Sequence, residues 1–205
     1  EGAAIVDVGG ESSRPPMYGT AKEVSVAEEC RRVVSVVEGL RRQSDVFISI
    51  DTVKAEVARR ALLAGADMIN DISALRQDPA MAEVAVEMKA PVVLMHRRGT
   101  AATMQQDTHY DDLLGEVYGF LEEQIRVARS RGIEHVAVDP GLGFGKSREG
   151  SLTLLGQLDR FSGLGCPLVV GISRKSFIWR TLGLSVEESL EGSLAAAVLA
   201  VGDMD

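Results

Sequence analysis

Residues 135–147 read HVAVDPGLGFGKS, a short β-branched run that turns abruptly into glycine. The run itself has the make-up of a strand buried on both faces. Its sequel ends in Gly145-Lys146-Ser147, the close of a phosphate-binding loop. That loop, G-x-x-x-x-G-K-[ST], needs its first glycine at position 140. Position 140 is Pro140, which has no backbone N–H to offer a phosphate. The dinucleotide pattern G-x-G-x-x-G fails as well, because with Gly141 and Gly143 in place its last glycine falls on Lys146. What remains is a carboxylate, Asp139, at a strand end, followed by a sharp turn that carries Phe144. Glycine lets such a backbone come close to a flat ligand. A carboxylate held there can accept two hydrogen bonds from an N–H plus NH₂ edge.

The same arrangement recurs along the chain. The apolar runs are AAIVDV (3–8), VFISI (46–50), DMIND (67–71), PVVLM (91–95), HVAVD (135–139) and PLVVGI (167–172). Amphipathic stretches separate them. One opens on a capping box, Ser25 to Glu28, and continues with Val26, Cys30, Val33, Val34, Val37 and Leu40. Others run from Thr52 to Ala64, from Met81 to Met88, and from Leu113 to Ala128 with Gly132 as the stop. A weaker helix is predicted over 151–162, and a last one from the box at Ser185–Glu188 through Ala200. Repeated β-α order means a parallel sheet covered by helices. An open doubly wound sheet concentrates its site at one switch point, whereas a barrel recruits every strand end. Polar residues follow all six runs: Gly9-Gly10-Glu11, Asp51-Thr52, Asn70-Asp71, His96-Arg97, Asp139-Pro140 and Ser173-Arg174-Lys175. The pattern predicts an α/β protein of the (β/α)8 TIM-barrel class, incomplete in this chain, with six β-α units present. Residues 1–205 are expected to form a single barrel domain truncated at both ends, the missing units lying outside the sequence.

The chain has 205 residues, 45 % hydrophobic and 25 % charged, and a formal net charge of −8. That charge disfavours non-specific nucleic-acid binding, which draws on basic patches. It leaves room for a small anionic substrate at a locally basic site. The two cysteines, Cys30 and Cys166, lack CxxC spacing, which argues against a disulfide scaffold or zinc cluster. The apolar runs are too short to span a bilayer. No signal peptide is visible, so the cytoplasm is the default expectation.

Six stretches together resemble the dihydropteroate synthase family of pterin-binding barrels. They are GAAIVDVGGESSRPP (2–16), ISIDT (48–52), MINDI (68–72), VVLMHRRGTAATMQ (92–105), DPGLGFGK (139–146) and GISRKSF (171–177). The resemblance implies condensation of 6-hydroxymethyl-7,8-dihydropterin diphosphate with 4-aminobenzoate, giving 7,8-dihydropteroate and pyrophosphate for folate biosynthesis. It implies that Asp51, Asn70, Met95, Asp139, Gly171 and Lys175 bind the pterin, with Asp51 and Lys175 also catalytic. Ser13, Arg14, Pro15, Phe144 and Ser176 would surround the 4-aminobenzoate, where sulfonamide analogues would also sit. Mg²⁺ would ride on the substrate diphosphate, with its protein ligand outside this chain and no metal held within it. Small-molecule substrates are the implied partners, with no nucleic acid and no membrane, and the full-length form would be a homodimer. The chain taken alone is expected to be inactive or poorly folded, with unpaired sheet edges.

Ser13 stands where the family usually has threonine, Pro16 where glycine is common and Arg97 where methionine is frequent. None of these removes a key group. A methyltetrahydrofolate–corrinoid methyltransferase would share the strand-end Asp and Asn but has no use for SSRP or SRKS. A non-catalytic paralogue is the third reading. Singly, Asp51 and Asp139 read as helix N-caps, Lys175 as a surface charge, and Lys146 as a solvated or loop-bracing lysine. His109 and His135 read as surface residues, and the pairs Arg41-Arg42 and Glu122-Glu123 as solvated helix faces.

Overall fold

The computed structural model describes residues 2–13, 23–100 and 103–202. Its branched runs form five strands in the order β1-β2-β3-β4-β5: β1 (Ile5–Gly9), β2 (Phe47–Asp51), β3 (Met68–Asp71), β4 (Val92–Met95) and β5 (Val136–Asp139). The first three pairings are parallel. Between the strands run α1 (Val26–Gln43), α2 (Ala55–Leu63), α3 (Met81–Glu87) and α4 (Leu113–Ser130). After β5 come α5 (Arg148–Leu155), a 3-10 helix (Leu158–Leu164), α6 (Ser176–Leu182) and α7 (Leu190–Gly202). This is the α/β order of the (β/α)8 TIM-barrel class, present in part.

The chain divides into two compact units, residues 1–95 with 123–137, and residues 96–122 with 138–205. In the first, register sorts side chains by face, because residues paired across parallel strands share one. Ile50 pairs with Ile69 and Ile69 with Val92, and all three are fully buried. Asp7 pairs with Ser49, Gly9 with Asp51 and Asp51 with Asn70, so the opposite face gathers the polar residues. Met95 lies two residues beyond Val93, the partner of Asn70, on that same face. Helix α1 opposes Val33 and Val37 to the core, and α2 opposes Val57, Ala58 and Ala61.

The predicted α1 cap forms on one side only. Ser25 Oγ accepts from the Glu28 N–H at 3.3 Å, but the Glu28 carboxylate turns to Arg31 and Arg32. Arg41 departs from its reading as a solvated charge. It is half-buried and donates to the carbonyls of Gly65 and Val46 and to Asp67, stapling the end of α1 to the start of β3.

In the second unit, Phe161, Leu154, Leu158, Leu121 and Val117 make the core. The sixth apolar run departs from expectation. Residues 167–172 form no extended strand; Leu168 makes one isolated parallel bridge to Val138, held by Val138 N–H to Pro167 O and Val169 N–H to Val138 O. Helix α6 was not predicted, and α7 begins at Leu190 rather than at the Ser185 box. Glu188 does accept from the Ser185 N–H at 3.1 Å, so half the box forms, but as a turn. Among the described residues no helix is long and apolar enough to cross a membrane.

Candidate active site

In the first unit the strand ends carry Asp51 and Asn70 side by side, both partly exposed. Asn70 Nδ2 donates to Asp7 Oδ2 at 3.3 Å, which aims the amide along the polar face. Its neighbour Asp71 faces the other way and is fully buried. Asp71 accepts from Ser73 N–H, Ser73 Oγ–H and Leu75 N–H, the work of a turn. Alternation along β3 thus separates a structural carboxylate from a presented amide. Met95 is buried. Ser13 is half-buried, while Arg14 and Pro15 lie outside the described residues.

Behind Asp51 lies an ionic cluster that sequence reading left undetected. Glu29, 1 % exposed, accepts from Thr52 Oγ1–H at 2.6 Å and from Lys54 Nζ at 2.5 Å. Lys54 also donates to Glu11 and to the carbonyl of Val24. Burial acts to lower the Lys54 pKa, but the hydrogen bonds and charges of Glu11 and Glu29 outweigh it and raise it. One signal was available: Glu29 stands four residues before Val33, on the apolar stripe of α1, where a charge must find a partner.

The second unit holds Asp139, Phe144, Gly171, Lys175 and Ser176. Asp139 is 8 % exposed, and its Oδ1 accepts from the Gly141 N–H at 2.6 Å. Burial pushes its pKa up, opposed by the Lys175 charge, the Gly141 hydrogen bond and Lys146. Burial lowers the Lys175 pKa, opposed by Asp139. Lys175 Nζ donates to Leu142 O at 2.6 Å and sits 4.7 Å from the centroid of the Phe144 ring. Gly171 runs close to Lys175, and a Cβ there would lie 3.2 Å from its Nζ. Ser176 is the first residue of α6, directly after Lys175 at the N-cap.

Lys146 braces the loop and is not solvated. It is 3 % exposed, donates to Gly141 O at 2.9 Å and Phe144 O at 3.0 Å, and lies 2.8 Å from His96 Nδ1. Burial holds its pKa down to about 7, against the pull of Asp139 and with the push of Lys175 and Arg98. Gly145, at φ +63°, is fixed by crowding as well as by conformation, because a Cβ would fall 2.9 Å from Arg98 O.

Each unit therefore presents strand-end groups suited to a flat, hydrogen-bonding heterocycle: an acid and an amide in one, an acid and an ammonium beside an aromatic ring in the other. Among the described residues no group of three or more His, Cys, Asp or Glu side chains could hold a metal ion.

The family model for pterin binding enzymes matches residues 1–203. The chain is 49 % identical over 183 residues to the dihydropteroate synthase of Synechocystis, covering 88 % of this chain and 62 % of that protein. It therefore spans about three fifths of that relative's length. It is similar to the Xanthomonas albilineans dihydropteroate synthase solved with 4-aminobenzoic acid, at TM-score 0.91 and 43 % identity over 98 % of this chain and 71 % of that one. The structure of the same enzyme with 7,8-dihydropteroate matches at TM-score 0.86 and 40 % identity, covering 98 % of this chain and 71 % of that one. With strand-end acids, amide and ammonium placed as described, this chain belongs to the pterin-binding enzyme family.

Proposed function

We propose that the chain carries the substrate-binding strand ends of a dihydropteroate synthase, joining 6-hydroxymethyl-7,8-dihydropterin diphosphate to 4-aminobenzoate. The observation that carries this reading is buried Asp139 beside half-buried Lys175, braced by Gly141 N–H and Leu142 O and flanked by the Phe144 ring. The substrates named with the Xanthomonas albilineans structures support it.

The aromatic amine nitrogen attacks the methylene carbon of the pterin, the C–O bond to the diphosphate breaks, pyrophosphate leaves with the bonding pair, and the surplus proton of the amine passes to solvent. Positive charge builds on the pterin as that bond lengthens. Asp51 stabilises it, since fixed dipoles and charges in a low-dielectric site act strongly on developing charge. Asp139 and Asn70 take the hydrogen-bonding edge of the ring and Met95 supports its face. Lys175 serves the pterin carbonyl and the growing negative charge of the leaving group. Phe144, Ser176, Ser13, Arg14 and Pro15 hold the benzoate. Orientation supplies much of the acceleration; well-placed pairs gain about 7–11 kcal/mol. No protein nucleophile takes part, and no step is routed through magnesium, which would enter with the diphosphate.

Incubating the protein with the pterin diphosphate and labelled 4-aminobenzoate is expected to yield labelled dihydropteroate and equimolar pyrophosphate. Methyl transfer from methyltetrahydrofolate without condensation would replace this reading.

We also propose a homodimer. Leu190, Leu194 and Val198 form a stripe at helical spacing on α7 and are 52 %, 58 % and 72 % exposed, a surface that favours an apolar partner. A second copy of the chain is the occupant. Sedimentation velocity should show a dimer that Leu194→Glu with Val198→Glu converts to monomer; a wild-type monomer at micromolar concentration would exclude it.

A further inference from the structure

The turn after β5 has an unusual hydrogen-bond economy. Five consecutive carbonyls each accept from a side chain: Gly141 O from Lys146, Leu142 O from Lys175, Gly143 O from Gln105, Phe144 O from Lys146 and Gly145 O from Tyr110. Apart from the Phe144 N–H to Gly141 O closure, no backbone bond recorded within residues 141–145 shapes it. Lys146 is the one donor that spans the turn from inside, since its ammonium bridges Gly141 O and Phe144 O and then reaches His96. His96 is in turn tied to the strand end, donating its backbone N–H to Asp139 O at 2.9 Å.

We infer that Lys146 is a positioning residue for the proposed condensation, an internal clamp that sets the Leu142 carbonyl and the Phe144 ring where Lys175 and the aromatic amine need them. The inference rests on the synthase reading. An ammonium has three donors and no acceptor. Lys146 directs those donors at the two turn carbonyls and at His96 Nδ1. Where the ammonium donates to it, His96 Nδ1 is the acceptor, which places the ring proton on Nε2. An apolar side chain of equal length at 146 leaves the Phe144 carbonyl without its partner and Gly141 O with the Phe144 N–H alone, and the turn must open to find water. Phe144 and Leu142 move with it, while Asp139 keeps its own bond to Gly141 N–H.

The test is Lys146→Met in the protein at its natural length. The expected result is a KM for 4-aminobenzoate raised about tenfold with kcat changed much less, the cost of one misplaced anchor. A merely structural lysine would lower the melting temperature and leave KM of the folded fraction at its wild-type value, which would overturn the inference. Wild type run alongside separates the two ideas: no dihydropteroate from wild type condemns the synthase reading, whereas wild-type KM in an active variant condemns the clamp. Should the variant not fold, the ¹⁵N spectrum of the His96 imidazole in wild type decides. A ring with its proton on Nε2 and Nδ1 as acceptor is expected. A ring that carries its proton on Nδ1 would refute the clamp.

Discussion

Asp139→Asn is expected to weaken pterin binding by roughly 30- to 5,000-fold, the range for removing one partner of a buried, hydrogen-bonded charge arrangement. The two oxygens of Asp139 have different duties. Oδ1 accepts from Gly141 N–H at 2.6 Å, and the carboxylate as a whole faces the charges of Lys175 and Lys146. An asparagine can keep the Gly141 bond only by turning its NH₂ toward the ligand, where a pterin also presents donors. Donor then meets donor. The substitution also removes the counter-charge of the buried Lys146 ammonium and the half-buried Lys175 one, a change that costs about 3–5 kcal/mol when it leaves a buried charge uncompensated. Lower thermal stability should therefore accompany the lost affinity. Calorimetric titration of the folded variant with a pterin separates the two effects, and affinity within about threefold of wild type would remove Asp139 from the binding role.

Lys175→Met is expected to lower kcat for condensation by roughly 100- to 1,000-fold, the loss typical of one donor aimed at developing negative charge. Pterin affinity should fall less, because Asp139 retains Gly141 N–H and Lys146. The variant also carries a pH signature. Burial lowers the Lys175 pKa below 10.5, so the unfolded chain binds this proton more readily than the folded one. Stability then rises with pH through the window between the lowered value and 10.5. Lys146 contributes a similar rise that begins at about 7. Lys175→Met should lose its own share of the rise and keep that of Lys146. Single-turnover kinetics and melting curves taken across that window check both statements.

Strand-end chemistry was legible because it is local. A branched run followed by Asp, Asn or Lys signals a barrel rim without knowledge of any distant residue, and Asp51, Asn70, Asp139 and Lys175 all stand at or just beyond such runs. Family membership followed from the same stretches. The sixth run failed as a strand because Leu168 finds only one bridge, to Val138, and the composition of PLVVGI does not reveal pairing. Helix α6 is only seven residues long, too short for a periodic pattern to stand out. The Ser185 box misled because a side chain can satisfy a turn amide as well as a helix amide. Arg41 was read as a solvated charge and the cluster around Lys54 went unread because their partners lie outside any local window, whereas Lys146 is the loop-bracing lysine the sequence allowed. Lys54 reaches Glu11 and Glu29, and Lys146 reaches His96, fifty positions away.

Lys175 is already tethered before any substrate arrives, through Leu142 O and the face of Phe144. A lysine side chain loses up to about 2 kcal/mol of rotamer freedom when it is fixed. Here that loss falls on folding, and two of the three ammonium hydrogens are left over for a newcomer. Affinity and rigidity are thereby linked. Changes that merely loosen the turn, touching no ligand at all, will erode recognition through disorder, and their imprint will be entropic, visible as a temperature dependence of binding steeper than any lost contact would give.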